Sequence, residues 1–304
     1  VDVQNGREMT LNKVGIDGFK MGVHARSGTV KLMGESTITV ANSGTGIMVG
    51  SGATVSMTQG KIEGGGGSGA GNYGVQGSGA VILNMVDVSG FGKGVDMTAG
   101  KLDINMGSIE FESGRDNYGV QVSGEATGTL TSVKIMGKGG QGTGVVMGSS
   151  ETMTMTNVGI SKVKVGVNAK SGTLNMMGGT VTFESGSGNW GVHVQNGASA
   201  IITGATIKGS GNGQGTGLYV MGGTATMNGG EIKEVESGVY ATGAGTLTIN
   251  GGAKITVKGG AESYGVKVES GASATLTNMT IEGTSGGTGK GVEVSMGSSK
   301  TMTM

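Results

Sequence analysis

Apolar and polar residues alternate along this chain in short runs. Val266 and Val268 are followed by Ala274 and Leu276, and then by Met279 and Ile281. A spacing of two is the period of a β-strand, whose successive side chains face opposite ways. Between the runs stand Gly, Ser, Asn and Thr, the residues that form turns. No stretch has helical periodicity. A Gly-apolar-x-apolar tetrad punctuates the pattern twelve times, at Gly22, Gly46, Gly74, Gly94, Gly119, Gly144, Gly166, Gly191, Gly217, Gly238, Gly265 and Gly291, with gaps of 20 to 28 residues. The residue after each Gly is Val, Ile or Leu. The residue two beyond that is apolar in every case but Gly77.

A longer period lies above the first. Gly22, Gly94, Gly166 and Gly238 are each 72 residues apart, and whole phrases return along the chain. Asn117-Tyr118-Gly119-Val120 is echoed by Asn189-Trp190-Gly191-Val192 and Ser263-Tyr264-Gly265-Val266. A unit of ~24 residues with two or three short strands cannot bury its apolar side chains alone, but stacked units bury them on each other. The pattern therefore predicts an all-β fold, a parallel β-helix or solenoid of 12–13 coils of ~24 residues, read as right-handed and as one domain over residues 1–304. At ~4.8 Å per coil the twelve anchors would span roughly 53 Å. The chain opens on Val1 without an initiator Met, n-region or apolar h-region, and stops in mid-repeat at Met304. It is read as a stretch of a longer chain.

Within the tetrad, the second and fourth residues are predicted to face the bore and the third to face out. The outward column runs from His24 through Gln76, Asp96 and Asn168 to His193, Tyr219, Tyr240, Lys267 and Glu293. Trp190, Tyr73, Tyr118 and Tyr264 each precede an anchor Gly. They are expected either to plug a corner of the bore or to form a row of contact residues. Met33, Met57, Met85, Met155 and Met177 all lie 11 residues after their anchor, where Ile249 also stands. That column is predicted to be core, with Met filling irregular space.

Composition sharpens this picture. The chain has 69 Gly among 304 residues, which at this abundance is assigned to tight or left-handed corners, and no Pro or Cys. Collagen is excluded by the absence of Pro and of a strict triplet period. Disulfides and Cys-based metal sites are excluded as well. The 21 basic and 21 acidic residues cancel, leaving no net field to attract nucleic acid. No run approaches the ~20 apolar residues of a membrane-spanning helix.

Candidate chemistry is sparse. His24 and His193 fall seven coils apart, too far to share a metal or a proton, and are expected to be solvated. A polysaccharide-cleaving site would need clustered carboxylates with Arg or Lys. Arg115–Asp116 is the one adjacent Arg–Asp pair and sits in a turn phrase. The Gly-x-Gly-x-x-Gly matches at 69–74 and 186–191 precede strands, not helices, so no helix dipole would hold a phosphate. Thr-x-Thr begins at Thr129, Thr152, Thr224, Thr246, Thr275 and Thr301. Lys31, Ser56, Leu83 and Asn175 stand in its place on other coils, so a water-ordering ladder is not expected. The residues thus predict no catalytic site, no metal site and no cofactor. They point to a partner surface in the second half: His193, Tyr219, Tyr240 and Lys267 on successive coils, with Trp190 beside them.

The phrases Ser171-Gly172-Thr173-Leu174-Asn175-Met176-Met177, Gly215-Thr216-Gly217-Leu218-Tyr219-Val220 and Glu151-Thr152-Met153-Thr154-Met155-Thr156 resemble the passenger repeats of Bartonella autotransporters of the angiogenic-factor type. The resemblance covers the whole chain. It implies a secreted or cell-surface bacterial passenger, exported through an outer-membrane β-barrel that this chain would lack. It also implies a proangiogenic ligand of a vascular endothelial growth factor receptor on host endothelial cells. No residue motif of the family carries over, and no Arg-Gly-Asp occurs. An adhesive or structural stalk and a carbohydrate-active enzyme are the alternatives.

Overall fold

The computed structural model describes residues 1–67, 72–211, 213–284, 288–295 and 302–304. The Gly69 to Gly71 end of one Gly-x-Gly-x-x-Gly match and the phrase at 297–301 lie outside the described residues. The described chain contains strands and no helix. It divides into two compact units, Val1–Met153 and Thr154–Met304. Each is a stack of parallel strands, and through both there are about 11 solenoid turns of roughly 25 residues. Twelve anchors bound eleven intervals, which accounts for a count just below the predicted 12–13.

One turn of the second unit shows the plan. Trp190–Gln195, Ala198–Thr203 and Thr206–Gly209 are its three strands. Each pairs in parallel with its counterpart one turn on: Val192 with Leu218, Ile202 with Met227, and Ile207 with Ile232. Three parallel sheets result, called first, second and third in chain order. Val192, Val194, Ile202 and Ile207 all point into the bore and are fully buried. The first unit follows the same plan, although some of its strands run through a corner without a break, as in Ser36–Val49 and Ala53–Gly67.

The anchor glycines turn out to be required for space. None from Gly22 to Gly265 has a positive φ. A Cβ on Gly191 would stand 2.2 Å from Ile207 Cγ2 and 2.6 Å from the Gly217 carbonyl oxygen. A Cβ on Gly22 would meet Ile38 and the next anchor carbonyl at 2.3 and 2.6 Å. The chain bends so tightly here that the ladder passes from Val165–Trp190 to Val167–Val192 without pairing the glycines.

Left-handed backbone is found elsewhere, at the corner between the second and third strands. Every turn has a left-handed residue there, with φ between +47° and +69° at Lys13, Gly34, Gln59, Met85, Met106 and Ser132 in the first unit, and at Asn157, Gly178, Gly204, Gly229, Gly251 and Asn278 in the second. Glu35 and several glycines add a second one beside it. Entry to the anchors at 72-residue intervals is by a second left-handed residue four positions earlier, at Gly18, Gly90, Lys162 and Glu234. The turns that end on Gly94, Gly166 and Gly238 are correspondingly the short ones, of 20 to 22 residues. Longer turns end in a loop locked by a buried polar residue. Asn117 and Asn189 each donate through Nδ2 to the backbone carbonyl five residues back, on Glu112 and Glu184, at 2.9 and 2.8 Å. This lock explains why Asn-aromatic-Gly returns as a phrase.

Two sequence expectations are corrected by the register. The methionines at a fixed distance from the anchor do not form one core column. Met57 and Met155 are buried, but Met33, Met85 and Met177 are 41%, 39% and 46% exposed. The connection from the first strand to the second is one residue shorter before Met33 and Met177, which moves their side chains to the opposite face. It is two shorter before Met85, which falls in the left-handed corner with φ +54°. The true inward column of the second unit is Met176, Ile202, Met227, Ile249 and Leu276. The aromatics before the anchors do not plug the bore either. Phe111 and Phe183 do so: they are fully buried, within 2.8 Å of where Cβ atoms on Gly142 and Gly215 would be.

Candidate functional site

The outer face of the first sheet in the second unit carries two columns of side chains. Asn168, His193, Tyr219, Tyr240, Lys267 and Glu293 occupy one column, each paired in register with the next. The neighbouring column is Val165, Trp190, Thr216, Ser237, Tyr264 and Lys290. The two lie three residues apart in sequence, which strict alternation would place on opposite faces. The bend at the anchor glycine brings them onto the same face.

The aromatic rings form a ladder. His193 stacks on Tyr219 with centroids 4.9 Å apart and planes 10° apart, and Tyr219 stacks on Tyr240 at 5.1 Å and 12°. Trp190 tilts onto His193 at 4.5 Å and onto Tyr219 at 5.5 Å, closing one end. Tyr264 meets Tyr240 edge-on at 6.1 Å near the other end. There the Lys267 ammonium lies 5.6 Å from the Tyr240 centroid and 5.7 Å from that of Tyr264, within cation–π range. Lys267 also pairs with Glu269 at 3.1 Å and approaches Glu293 at 3.8 Å, and Lys290 pairs with Glu293 at 2.9 Å. The Tyr240 hydroxyl donates to Glu269 Oε1.

All five residues read from the sequence as a partner surface therefore lie in one contiguous cluster. Glu269, the acceptor that ties Lys267 to Tyr240, was missed. It lies two residues beyond Lys267 on the same outward face, which strand alternation alone could have indicated.

His193 departs from expectation. It is 5% exposed rather than solvated, and neither ring nitrogen has a hydrogen-bond partner among the described residues. Its pKa is pushed down to about 4, first by burial and then by the Lys170 ammonium. The ring is a neutral member of the stack between Trp190 and Tyr219. His24, in the first unit, is half-buried with Nδ1 3.8 Å from Asp2. Burial, reinforced by the hydrogen bond to Glu269, pushes the Tyr240 hydroxyl up to about 12. Glu269 is held below the usual carboxylate range, first by that hydrogen bond.

The first unit has a smaller cluster of its own on strands Tyr73–Gly77, Lys93–Met97 and Tyr118–Gly124. Lys93 Nζ donates to the Tyr73 hydroxyl at 3.1 Å and lies 4.8 Å from that ring and 5.9 Å from the Tyr118 ring. Asp96 is buried there and accepts from Gln121 Nε2 at 3.1 Å, and burial raises its pKa. The Arg115–Asp116 pair is exposed in its turn.

Stacking uses the faces of the ladder rings, so a partner meets their edges, the Tyr219 hydroxyl and the ion pairs. This suits a protein surface better than a sugar ring seeking a free aromatic face. No family model, curated protein or solved structure matches the chain.

Proposed function

We propose that this β-solenoid is the passenger of a secreted or surface-displayed bacterial protein, and that it acts as a proangiogenic ligand of a vascular endothelial growth factor receptor on host endothelial cells. The aromatic ladder carries the binding part of this reading. Trp190, Tyr219, Tyr240 and Tyr264 are half-buried on a rigid sheet, beside cation–π and ion-pair groups. Half-buried Trp and Tyr clusters of this kind are the usual hot spots of protein interfaces. The receptor class and the cellular setting rest on the resemblance of the repeat phrases. The carbohydrate-active alternative has less support, because the carboxylates of this face, Glu269 and Glu293, are already paired with Lys267 and Lys290.

The test is the double substitution Tyr219→Ala with Tyr240→Ala, assayed for endothelial receptor phosphorylation. Potency is expected to fall more than tenfold, since each interface anchor can carry ~2 kcal/mol. The melting curve of the variant shows whether the fold persists. Full activity in the folded variant would place the site elsewhere. An inactive parent chain would favour the adhesive stalk.

A further inference from the structure

The second sheet of the second unit has an unusual outer face. Its strands are Gly172–Met177, Ala198–Thr203, Thr224–Asn228, Thr246–Asn250 and Ser273–Leu276, and none contains a charged residue. The charges of this unit lie elsewhere. The first sheet has Lys267, Glu269, Lys290 and Glu293, and the third-sheet strands Glu231–Val235 and Ala253–Val257 carry Glu231, Lys233, Glu234 and Lys254.

The outward positions form a grid. Thr224, Thr226 and Asn228 pair in register with Thr246, Thr248 and Asn250. Ser273 and Thr275 extend two of these rows. In the other direction Ser199 and Thr203 extend two, while exposed Ile201 takes the Thr place in the central row and exposed Met177 ends the row of Thr203. All the ladders between the five strands run without a register shift, so no bulge adds local twist. The spacing is about 4.8 Å across the strands and about 6.7 Å along them. No Thr hydroxyl of the grid has a hydrogen-bond partner among the described residues. Each Thr presents a methyl and a free hydroxyl on a rigid support.

The expectation from sequence was that the Thr ladder is too interrupted to order water. Register removes most of that objection for this unit. Lys31 and Ser56 belong to the first unit, and so does Leu83, which faces the bore. Among the interruptions read from sequence, only Asn175 falls on this sheet. The register adds Ile201 next to it, and both are uncharged and lie before the Thr226, Thr248 and Thr275 run.

We propose that this face binds ice, holding a layer of water on the Thr–Asn grid that matches a growing ice lattice. The ligand must be regular in two dimensions, because the face repeats in both. It must make many weak hydrogen bonds without charge, because the polar groups of the grid are hydroxyls and amides, with apolar Ile201 and Met177 at the end where the rows begin. The exposed methyl groups keep the intervening water from bonding to anything but its neighbours and the hydroxyls. A neutral crystalline polysaccharide is the competing occupant. It fits less well, because sugar rings are gripped by free aromatic faces and this sheet face has none. The proposal is independent of the aromatic ladder on the first sheet.

The experiment grows an ice hemisphere from a dilute solution of the fluorescently labelled full chain and measures partition into ice, with thermal hysteresis recorded in parallel. The parent is expected to enter the ice and to give measurable hysteresis. Thr226→Lys with Thr248→Lys should lower ice partition at least tenfold at an unchanged melting temperature. Thr226→Tyr, a bulky uncharged change, should lower it severalfold and covers the case in which the lysine pair disturbs the fold. Tyr219→Ala with Tyr240→Ala should leave it unchanged. Exclusion of the parent from ice would overturn the proposal, as would full partition of folded Thr226 variants. Sedimentation of the parent with crystalline cellulose or chitin, lost in the Thr226 variants and without any ice partition, would overturn it in favour of a glycan.

Discussion

At the scale of single residues, two kinds of glycine must be told apart. Gly191 has no room for a methyl group, whereas a Cβ on Gly159 would meet nothing within 4 Å. Gly191→Ala should destabilise by about 1–3 kcal/mol through overpacking. Gly159→Ala, whose backbone is not left-handed, should be neutral or stabilise by about 0.5 kcal/mol by restricting the unfolded chain. Paired thermal melts decide this. The methionines offer a second residue-level test. Mild peroxide should oxidise Met33, Met85 and Met177 well before Met57, Met153 and Met227, as read by peptide mass spectrometry, because thioether oxidation follows exposure. The anchors and their apolar followers were legible in the sequence because steric need leaves no substitute for Gly. The facing of the methionines was not, since distance along the chain says nothing of a one- or two-residue difference in the preceding connection.

At the scale of elements, the strand Trp190–Gln195 shows what alternation delivers and where it stops. Val192 is fully buried, and Val192→Asp should cost several kcal/mol as an unpaired carboxylate in an apolar bore. Tyr219→Ala should be milder, but not silent, because it breaks two ring stacks worth ~0.5–1.5 kcal/mol each. Denaturant titration of both variants tests the order. His193 adds a pH dependence. Its native pKa of about 4 lies below the ~6.5 of an unfolded histidine. The unfolded chain therefore binds the extra proton first as pH falls. This contribution to stability is complete above pH ~6.5 and is lost progressively between there and pH ~4. His193→Phe keeps a ring in the stack and should flatten the stability–pH curve over that window. Raised Asp96 works in the opposite sense, so the variant rather than the parent curve isolates the effect. The outward column was readable from the tetrad alone. Its merger with Trp190 and Tyr264 was not, because the bend at the anchor glycine breaks the alternation.

At the scale of the molecule, equal numbers of basic and acidic residues leave no net field. Receptor binding by the parent chain should therefore change little over a tenfold range of salt, since the ion pairs of the ladder face are already satisfied internally. A salt titration of the association rate checks this. The three-turn rhythm has a genetic consequence. Each block from Gly22 to Gly94 and from Gly166 to Gly238 closes after 72 residues, ending in a short turn entered through a left-handed residue. Unequal crossing-over between such blocks adds or removes three whole turns and returns every side chain to the face it left. Excision of residues 167–238 joins Gly166 to Val239, restoring the tetrad across the seam, and the shortened chain should still melt cooperatively. A cut one residue longer would invert the strand that follows it. Gene variants of this chain should accordingly differ in length by multiples of 72 residues.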